Sequence, residues 1–194
     1  MTILFADIVE FTRMSARMSP EAVVAMLNEV FSAFDRLTEK HRLEKIKTIG
    51  DAYMVVGGLP EPRPDHLRAV AELALDMRQA VEHLPPRGGE RLRIRIGMHT
   101  GPVVAGVIGR NKFAYDLWGD AVNTAARMES SGIPGHVQVT GEVYAGLRHQ
   151  YVLEERGTLA IKGKGEMKTY FLVGPRSADA ALDCESQPGS EDRR

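Results

Sequence analysis

The sequence is poor in cysteine, in aromatic residues and in net charge. It contains one cysteine, Cys184, which cannot form a disulfide within the chain and is consistent with a reducing compartment such as the cytoplasm. The formal net charge of −1 lacks the basic excess typical of nucleic-acid-binding proteins, so we expect no nucleic acid polymer as a partner. An apolar run of about 18 residues and a secretory leader pattern are also missing, so we expect no membrane segment in this chain.

The remaining composition is that of an ordinary globular protein. Hydrophobic residues make up 43% and charged residues 26% of the 194 residues, a length that suits one domain with its own core. After Gly174, apolar residues become sparse while Ser, Asp, Pro and Gly become more frequent. We therefore expect one domain over residues 1–174 and a disordered tail over 175–194.

Hydrophobic periodicity predicts alternating strands and helices. A buried strand over 2–8 precedes an amphipathic helix over 20–40, with Ser19 as the cap and Pro20 at the first helical position. The order favours an α+β fold with a ferredoxin-like βαββαβ core, in which helices pack on one face of a mainly antiparallel sheet. The later elements are expected as strands at 43–49 and 53–56, a helix at 65–84, a strand at 92–99, a hairpin of 103–108 with 112–118, a helix at 119–130, short strands near Val137, Val152 and Tyr170, and a short helix at 141–147.

Two acidic motifs follow strand-like runs. Asp7 ends the first strand in the run FADI, and Asp51 follows Gly50 at the tip of the first predicted hairpin. Carboxylates at the rim of a sheet can face water, and two that meet there could hold Mg²⁺, which prefers oxygen ligands completed by phosphate. The motifs alone leave open that both residues only end strands.

A third segment makes the pattern specific. Residues 113–129 read FAYDLWGDAVNTAARME. Together the three segments resemble the catalytic domain of the class III nucleotidyl cyclases, which are the adenylate and guanylate cyclases. Further stretches match the family in the same order: GGLP at 57–60, RIRIG at 93–97, TGPVVAG at 100–106 and IKGKGEMKTY at 161–170.

The resemblance implies an enzyme that forms a cyclic nucleotide. The ribose 3′-hydroxyl would attack the α-phosphate and release pyrophosphate, with two ions of Mg²⁺ or Mn²⁺ serving the attacking and leaving oxygens. In the family pattern the metal ligands are Asp7, Asp51 and the backbone carbonyl of Ile8. Lys47 and Asp116 correspond to the residues that contact the base. Lys can donate to N1 of adenine and Asp can accept from its 6-amino group, whereas guanine presents the opposite pattern, so ATP is the expected substrate.

The same resemblance assigns the remaining site residues. Asn123 and Arg127 lie four apart on one helix face, where Asn123 would fix the ribose and Arg127 would stabilise charge on the α-phosphate. Backbone N–H groups at Phe11 and Thr12 would hold the terminal phosphates. Arg95 and Lys162 match phosphate-binding positions, although Arg93 and Lys164 are neighbouring alternatives.

Glu10 departs from the family, which usually has Gly at this position. A Glu there restricts the backbone and adds negative charge near the expected phosphates, so the departure predicts weaker substrate affinity unless the side chain points to solvent.

In the family, the metal carboxylates and the Asn/Arg helix come from different subunits. A chain with both sets implies a head-to-tail homodimer, with the hairpin of 103–118 reaching across. The expected location is cytoplasmic, with the cytosolic domain of a membrane-anchored parent as the alternative. The competing functions are a guanylate cyclase, a catalytically silent nucleotide-binding regulatory domain, and a small module that binds RNA on its sheet, which the low aromatic content disfavours.

Overall fold

The computed structural model of the chain describes residues 1–86, 91–108 and 114–176. The predicted tail falls almost entirely outside these residues, as do residues 112 and 113 of the predicted hairpin. In chain order the elements are β1 (Thr2–Ile8), α1 (Phe11–Ser15), α2 (Pro20–Lys40), β2 (Glu44–Ile49), β3 (Ala52–Gly57), α3 (His66–Glu82), β4 (Ile94–Thr100), β5 (Val104–Ile108), β6 (Ala114–Trp118), α4 (Asp120–Ser130), β7 (Val137–Thr140), α5 (Gly141–Leu147), β8 (Tyr151–Ile161) and β9 (Gly165–Pro175).

The main sheet has seven strands in the order β2-β3-β1-β4-β7-β9-β8. Strands β4 and β7 pair in parallel, and the other neighbours pair antiparallel. The first four strands in the sequence therefore lie in the order β2-β3-β1-β4, with α2 and α3 as the connecting helices. This is the predicted ferredoxin-like βαββαβ core, and the α+β fold class is confirmed.

Alternation along the strands divides the core between the two faces of the sheet. Leu4 and Ala6 of β1 join a large cluster with residues of α2, α3 and α5, whereas Ile3 and Phe5 join a smaller cluster with residues of α4 and β6. The expectation that all helices cover one face is wrong, because α4 packs on the face opposite α2 and α3. Period-3.6 patterning shows that a helix has an apolar side but not which face of a sheet it meets.

Three local features also differ from expectation. The turn after β1 contains a short helix, α1, and β8 and β9 are 11 residues each rather than short strands. Polar and apolar residues alternate poorly along β8, because this strand forms one edge of the sheet, where both charged and apolar side chains reach solvent.

Strands β5 and β6 form a separate two-stranded sheet, called the arm below. Val104 and Ile108 are each 68% exposed on it. In the part of the chain that the structure describes, none of the helices has the length and apolar character of a membrane span.

Candidate active site at the rim of the sheet

Asp7 and Asp51 meet through the pairing of β1 with β3. Asp7 lies opposite Ala52, the residue that follows Asp51. The tight turn before Asp51 requires the left-handed backbone of Gly50, whose φ is 62°. Burial, a hydrogen bond with Asp7 and the negative charge of Asp7 raise the pKa of Asp51 to about 6. The fold thus holds two carboxylates in a repulsive arrangement that a divalent cation would relieve.

Arg95 connects this carboxylate pair to helix α4. It lies opposite Asp7 in the β1–β4 pairing and donates to Oδ2 of Asp7 at 2.8 Å and to Oε1 of Glu129 at 3.1 Å. Burial and the charge of Asp7 raise the pKa of Glu129 to about 7, although Arg95 acts in the opposite direction. From its sequence position Arg95 is predicted to bind phosphate, and Glu129 has no predicted role. The sequence signal for Glu129 is its position two residues after Arg127, because residues two apart face opposite sides of a helix.

The donor set suits a hard cation that keeps part of its water shell. Among the residues that the structure describes, no group of three or more His, Cys, Asp or Glu side chains is arranged to hold a metal ion. The two carboxylates of Asp7 and Asp51, with the backbone carbonyl of Ile8 directly after Asp7 in the chain, fit Mg²⁺ or Mn²⁺ bound together with substrate phosphates, since such ions rarely sit in a cage made only of protein.

Lys47 and Asp116 form an ion pair between β2 and β6, so the structure brings together the two residues predicted to contact the base. Nζ of Lys47 donates to Oδ2 of Asp116, and Oδ1 of Asp116 accepts from the backbone N–H of Leu117 at 2.8 Å. Burial of Asp116 opposes its ionisation, but these two hydrogen bonds and the positive charge of Lys47 together outweigh burial and lower the pKa of Asp116.

Asn123 and Arg127 are both exposed on α4. The buried side of this helix carries Ala121, Thr124, Ala125 and Met128. Its close approach to the sheet depends on Gly97 of β4, since a Cβ there would lie 2.0 Å from the backbone nitrogen of Glu129. One side of α4 is therefore fixed to the carboxylate pair through Glu129, while Asn123 and Arg127 face outward within the single chain.

The two lysines of the β8–β9 loop differ in their surroundings. Lys164 forms an ion pair with Asp120 at the start of α4, and its side chain is 20% exposed. Lys162 is exposed. The contact with Asp120 holds Lys164 and favours Lys162 as the loop lysine that can turn to a ligand.

The turn between β1 and α1 contains the residues predicted to hold the terminal phosphates. Phe11 packs against the larger core cluster, and Thr12 is exposed. Glu10 adopts a left-handed backbone with φ of 56°, the conformation in which Gly would be unstrained. Its Oε2 lies 3.2 Å from Nη1 of Arg13, with both side chains more than half exposed. The charge of Glu10 is therefore partly offset by Arg13.

Comparison with known proteins decides the family. The model of the adenylate and guanylate cyclase catalytic domain matches residues 1–174. The chain belongs to this family. An adenylate cyclase of Mycobacterium tuberculosis is 50% identical over 192 residues, which cover 99% of this chain and 43% of that protein. The soluble guanylate cyclase subunit beta-2 of Rattus norvegicus is 49% identical over 174 residues, which cover 89% of this chain and 26% of that protein.

The cyclase domain therefore spans less than half the length of these curated relatives. Among solved structures, the guanylate cyclase domain of RhGC from Catenaria anguillulae, in complex with GTP, superposes with a TM-score of 0.87 at 37% identity and covers 90% of this chain and 96% of that one. Adenylate and guanylate cyclases resemble the cyclase domain almost equally, so overall similarity does not decide which nucleotide it uses.

Proposed function

We propose that this domain is an adenylate cyclase that converts ATP to 3′,5′-cyclic AMP and pyrophosphate. The observation that carries the proposal is the ion pair of Lys47 with Asp116. An ammonium group and an ionised carboxylate held side by side match N1 and the 6-amino group of adenine, and they are mismatched to the donor and acceptor order of guanine.

Each predicted site residue would have its own role in the reaction. Asp7, Asp51 and the carbonyl of Ile8 would hold Mg²⁺ or Mn²⁺, two ions per site, which supply charge neutralisation for the phosphates and the attacking oxygen. Arg95, beside Asp7, meets the phosphates together with Lys162. The backbone at Phe11 and Thr12 receives the terminal phosphates.

Two exposed residues of α4 complete the chemistry. Asn123 orients the ribose so that its 3′-hydroxyl approaches the α-phosphorus in line with the leaving pyrophosphate. Arg127 supplies the planar, permanently charged donor that stabilises negative charge on the α-phosphate.

The complete site requires a head-to-tail homodimer. Asn123 and Arg127 lie on the exposed side of α4, and the opposite side carries Glu129. This arrangement supports a site in which one chain supplies the carboxylates and its partner supplies Asn123 and Arg127. The exposed apolar side chains of the arm supply a surface for the partner. A cytoplasmic location, either alone or as the cytosolic domain of a membrane-anchored parent, stays a prediction.

Guanylate cyclase is the second candidate, and the 49% identity to a guanylate cyclase subunit favours it. A silent regulatory domain is disfavoured, because both carboxylates and both α4 residues are present.

The test is incubation of the purified protein with ATP or GTP and either Mg²⁺ or Mn²⁺, followed by chromatography of the cyclic product and pyrophosphate. We expect cyclic AMP to form faster than cyclic GMP. Lys47→Glu combined with Asp116→Ala should reduce ATP turnover before it reduces GTP turnover. The double substitution removes both base contacts and leaves the metal-binding carboxylates of Asp7 and Asp51 intact. Faster formation of cyclic GMP by the wild type would overturn the assignment.

A further inference from the structure

The side chains of Lys45 and Lys47, two residues apart in β2, lie on opposite faces of the sheet. Nζ of Lys45 lies 2.6 Å from Oδ1 of Asp35 on α2, whereas Lys47 pairs with Asp116 on β6. Residues two apart in a regular strand point to the same face, so this strand departs from regular geometry between the two lysines.

The cause is a β-bulge at Ile46. Lys45 lies opposite Val55 and Lys47 lies opposite Met54, so one step along β3 corresponds to two along β2. Val55 belongs to the core cluster under α2 and α3, and Met54 belongs to the cluster under α4. The extra residue thus sends Lys47 to the face on which Asp116 lies.

Apart from Ile46, which packs against the smaller core cluster on the face of α4, little else in β2 specifies this register. Strand β2 is an edge strand with β3 as its neighbour in the sheet, and each of its residues is exposed or only half-buried. A register is weakly specified when a strand lacks a buried face, and a slip by one residue moves every side chain to the other face.

A cluster of three side chains on the α2 face of the sheet, opposite to Lys47, supplies contacts that can hold β2 in this register. Oδ1 of Asp35 accepts from Nζ of Lys45 and from the hydroxyl of Tyr53, the latter at 2.5 Å. Nζ of Lys45 also lies 4.8 Å from the ring centroid of Tyr53, whose side chain is fully buried. Asp35, Lys45 and Tyr53 are called the register cluster below.

We propose that the register cluster is a positioning device for nucleotide selection. By holding Lys45 on the face of α2, it fixes the bulge and so keeps Lys47 beside Asp116, where the two residues meet the base. Asp35 touches no nucleotide in this arrangement and acts only through the register of β2. The inference rests on the proposed function for the role of Lys47.

The test is a double-mutant cycle between Asp35 and Lys47, measured by nucleotide binding rather than by turnover. The probes are 3′-deoxy-ATP and 3′-deoxy-GTP with Mn²⁺, which lack the attacking hydroxyl and cannot cyclise, and calorimetry gives the Kd. Asp35→Ala should weaken 3′-deoxy-ATP binding about tenfold, the order expected for one lost hydrogen bond to a charged group. Binding of 3′-deoxy-GTP should change much less. In a protein that already carries Lys47→Ala, adding Asp35→Ala should change neither of the two Kd values.

Asp76→Ala is the matched control. Asp76 on α3 also pairs with a lysine, because its Oδ2 lies 2.8 Å from Nζ of Lys40 at the end of α2 and 2.8 Å from Nε2 of His41, and both of these partners lie outside β2. It should leave the ratio of the two Kd values unchanged. If Asp35→Ala does not fold, Tyr53→Phe replaces it, because it keeps the buried ring and removes only the hydroxyl that donates to Asp35.

Equal effects of Asp35→Ala in both backgrounds, or a folded variant with unchanged Kd values, would overturn the inference. Failure of the proposed function is a separate result. A wild type that forms cyclic GMP preferentially refutes adenylate cyclase activity, while coupling between Asp35 and Lys47 is still read from the binding cycle.

Discussion

At the scale of single residues, Glu10 is the clearest departure from the family. Its left-handed backbone costs a non-glycine residue about 1 kcal/mol or more, and its charge lies in the turn proposed to receive phosphates. The neighbouring charge of Arg13 offsets part of this repulsion.

We therefore expect Glu10→Gly to lower the KM for metal-ATP, with a smaller change in kcat and an unchanged or higher Tm. Arg13→Ala should change KM in the opposite direction. Raising the salt concentration should shrink both effects, because the two side chains are exposed and mobile ions screen them. Steady-state kinetics at low ionic strength provide the measurement. An unchanged KM for both variants would show that neither charge affects the substrate.

The site residues differ in how far the sequence could predict them. The sequence predicts Asp7 and Asp51 as metal ligands, because each follows a strand-like apolar run and matches a family motif. Glu129 could not be assigned, because its partner Arg95 is remote in sequence and the contact depends on how α4 packs against β4. The sequence does not distinguish Lys164 from Lys162, since only the folded chain brings Asp120 beside Lys164.

At the scale of elements, the position of α4 depends on the absence of a side chain at Gly97. An added Cβ would lie 2.0 Å from backbone nitrogen of Glu129, and the backbone cannot give way as a flexible side chain can. We expect Gly97→Ala to destabilise the domain by about 3 kcal/mol and to lower Tm by roughly 10 °C. Activity should fall further than stability alone explains, because Asn123 and Arg127 move with α4.

Gly174→Ala in β9 is the control for this substitution. A Cβ at Gly174 meets no atom within 4 Å, so its Tm should stay within about 1 °C of the wild type. Thermal unfolding followed by circular dichroism compares the two variants. A Gly97→Ala protein as stable as the control would show that α4 can move away from β4 at little cost.

The order of helices and strands was largely predictable, because amphipathic helices and apolar strands alternate clearly in the first half of the chain. The bulge at Ile46 was not, since the run from Glu44 to Ile49 reads as a regular strand. Which face a helix covers is also decided by packing between distant segments, so the sequence predicts the wrong face of the sheet for α4. The predicted tail stays a prediction.

At the scale of the whole molecule, the proposed shared site makes a prediction about mixtures of inactive chains. Asp7→Ala and Arg127→Ala should each be inactive alone, because every site in either homodimer lacks one essential group. A mixed dimer has one site with both defects and one with neither. Mixing the two proteins should therefore restore activity, up to about a quarter of the wild-type rate if chains exchange at random.

Cyclic AMP formation by the mixture is the measurement, with size-exclusion chromatography of differently tagged chains to show that they associate. A mixture of Asp7→Ala with Asp51→Ala is the control and should stay inactive, because both defects affect the same half of the site. Associated chains without activity in the first mixture would indicate a site built within one subunit.

The two sides of α4 also bear on cooperativity. One side contacts Arg95 through Glu129, and the other carries the groups proposed to serve the second site of the dimer. Phosphates that order Arg95 while it still pairs with Glu129 would also restrain α4, and the neighbouring site would then lose less conformational entropy when it binds nucleotide. We expect ATP saturation with a Hill coefficient above one, and Glu129→Gln should bring it toward one by weakening this connection. A hyperbolic curve for the wild type would mean that the two ends of the dimer work independently.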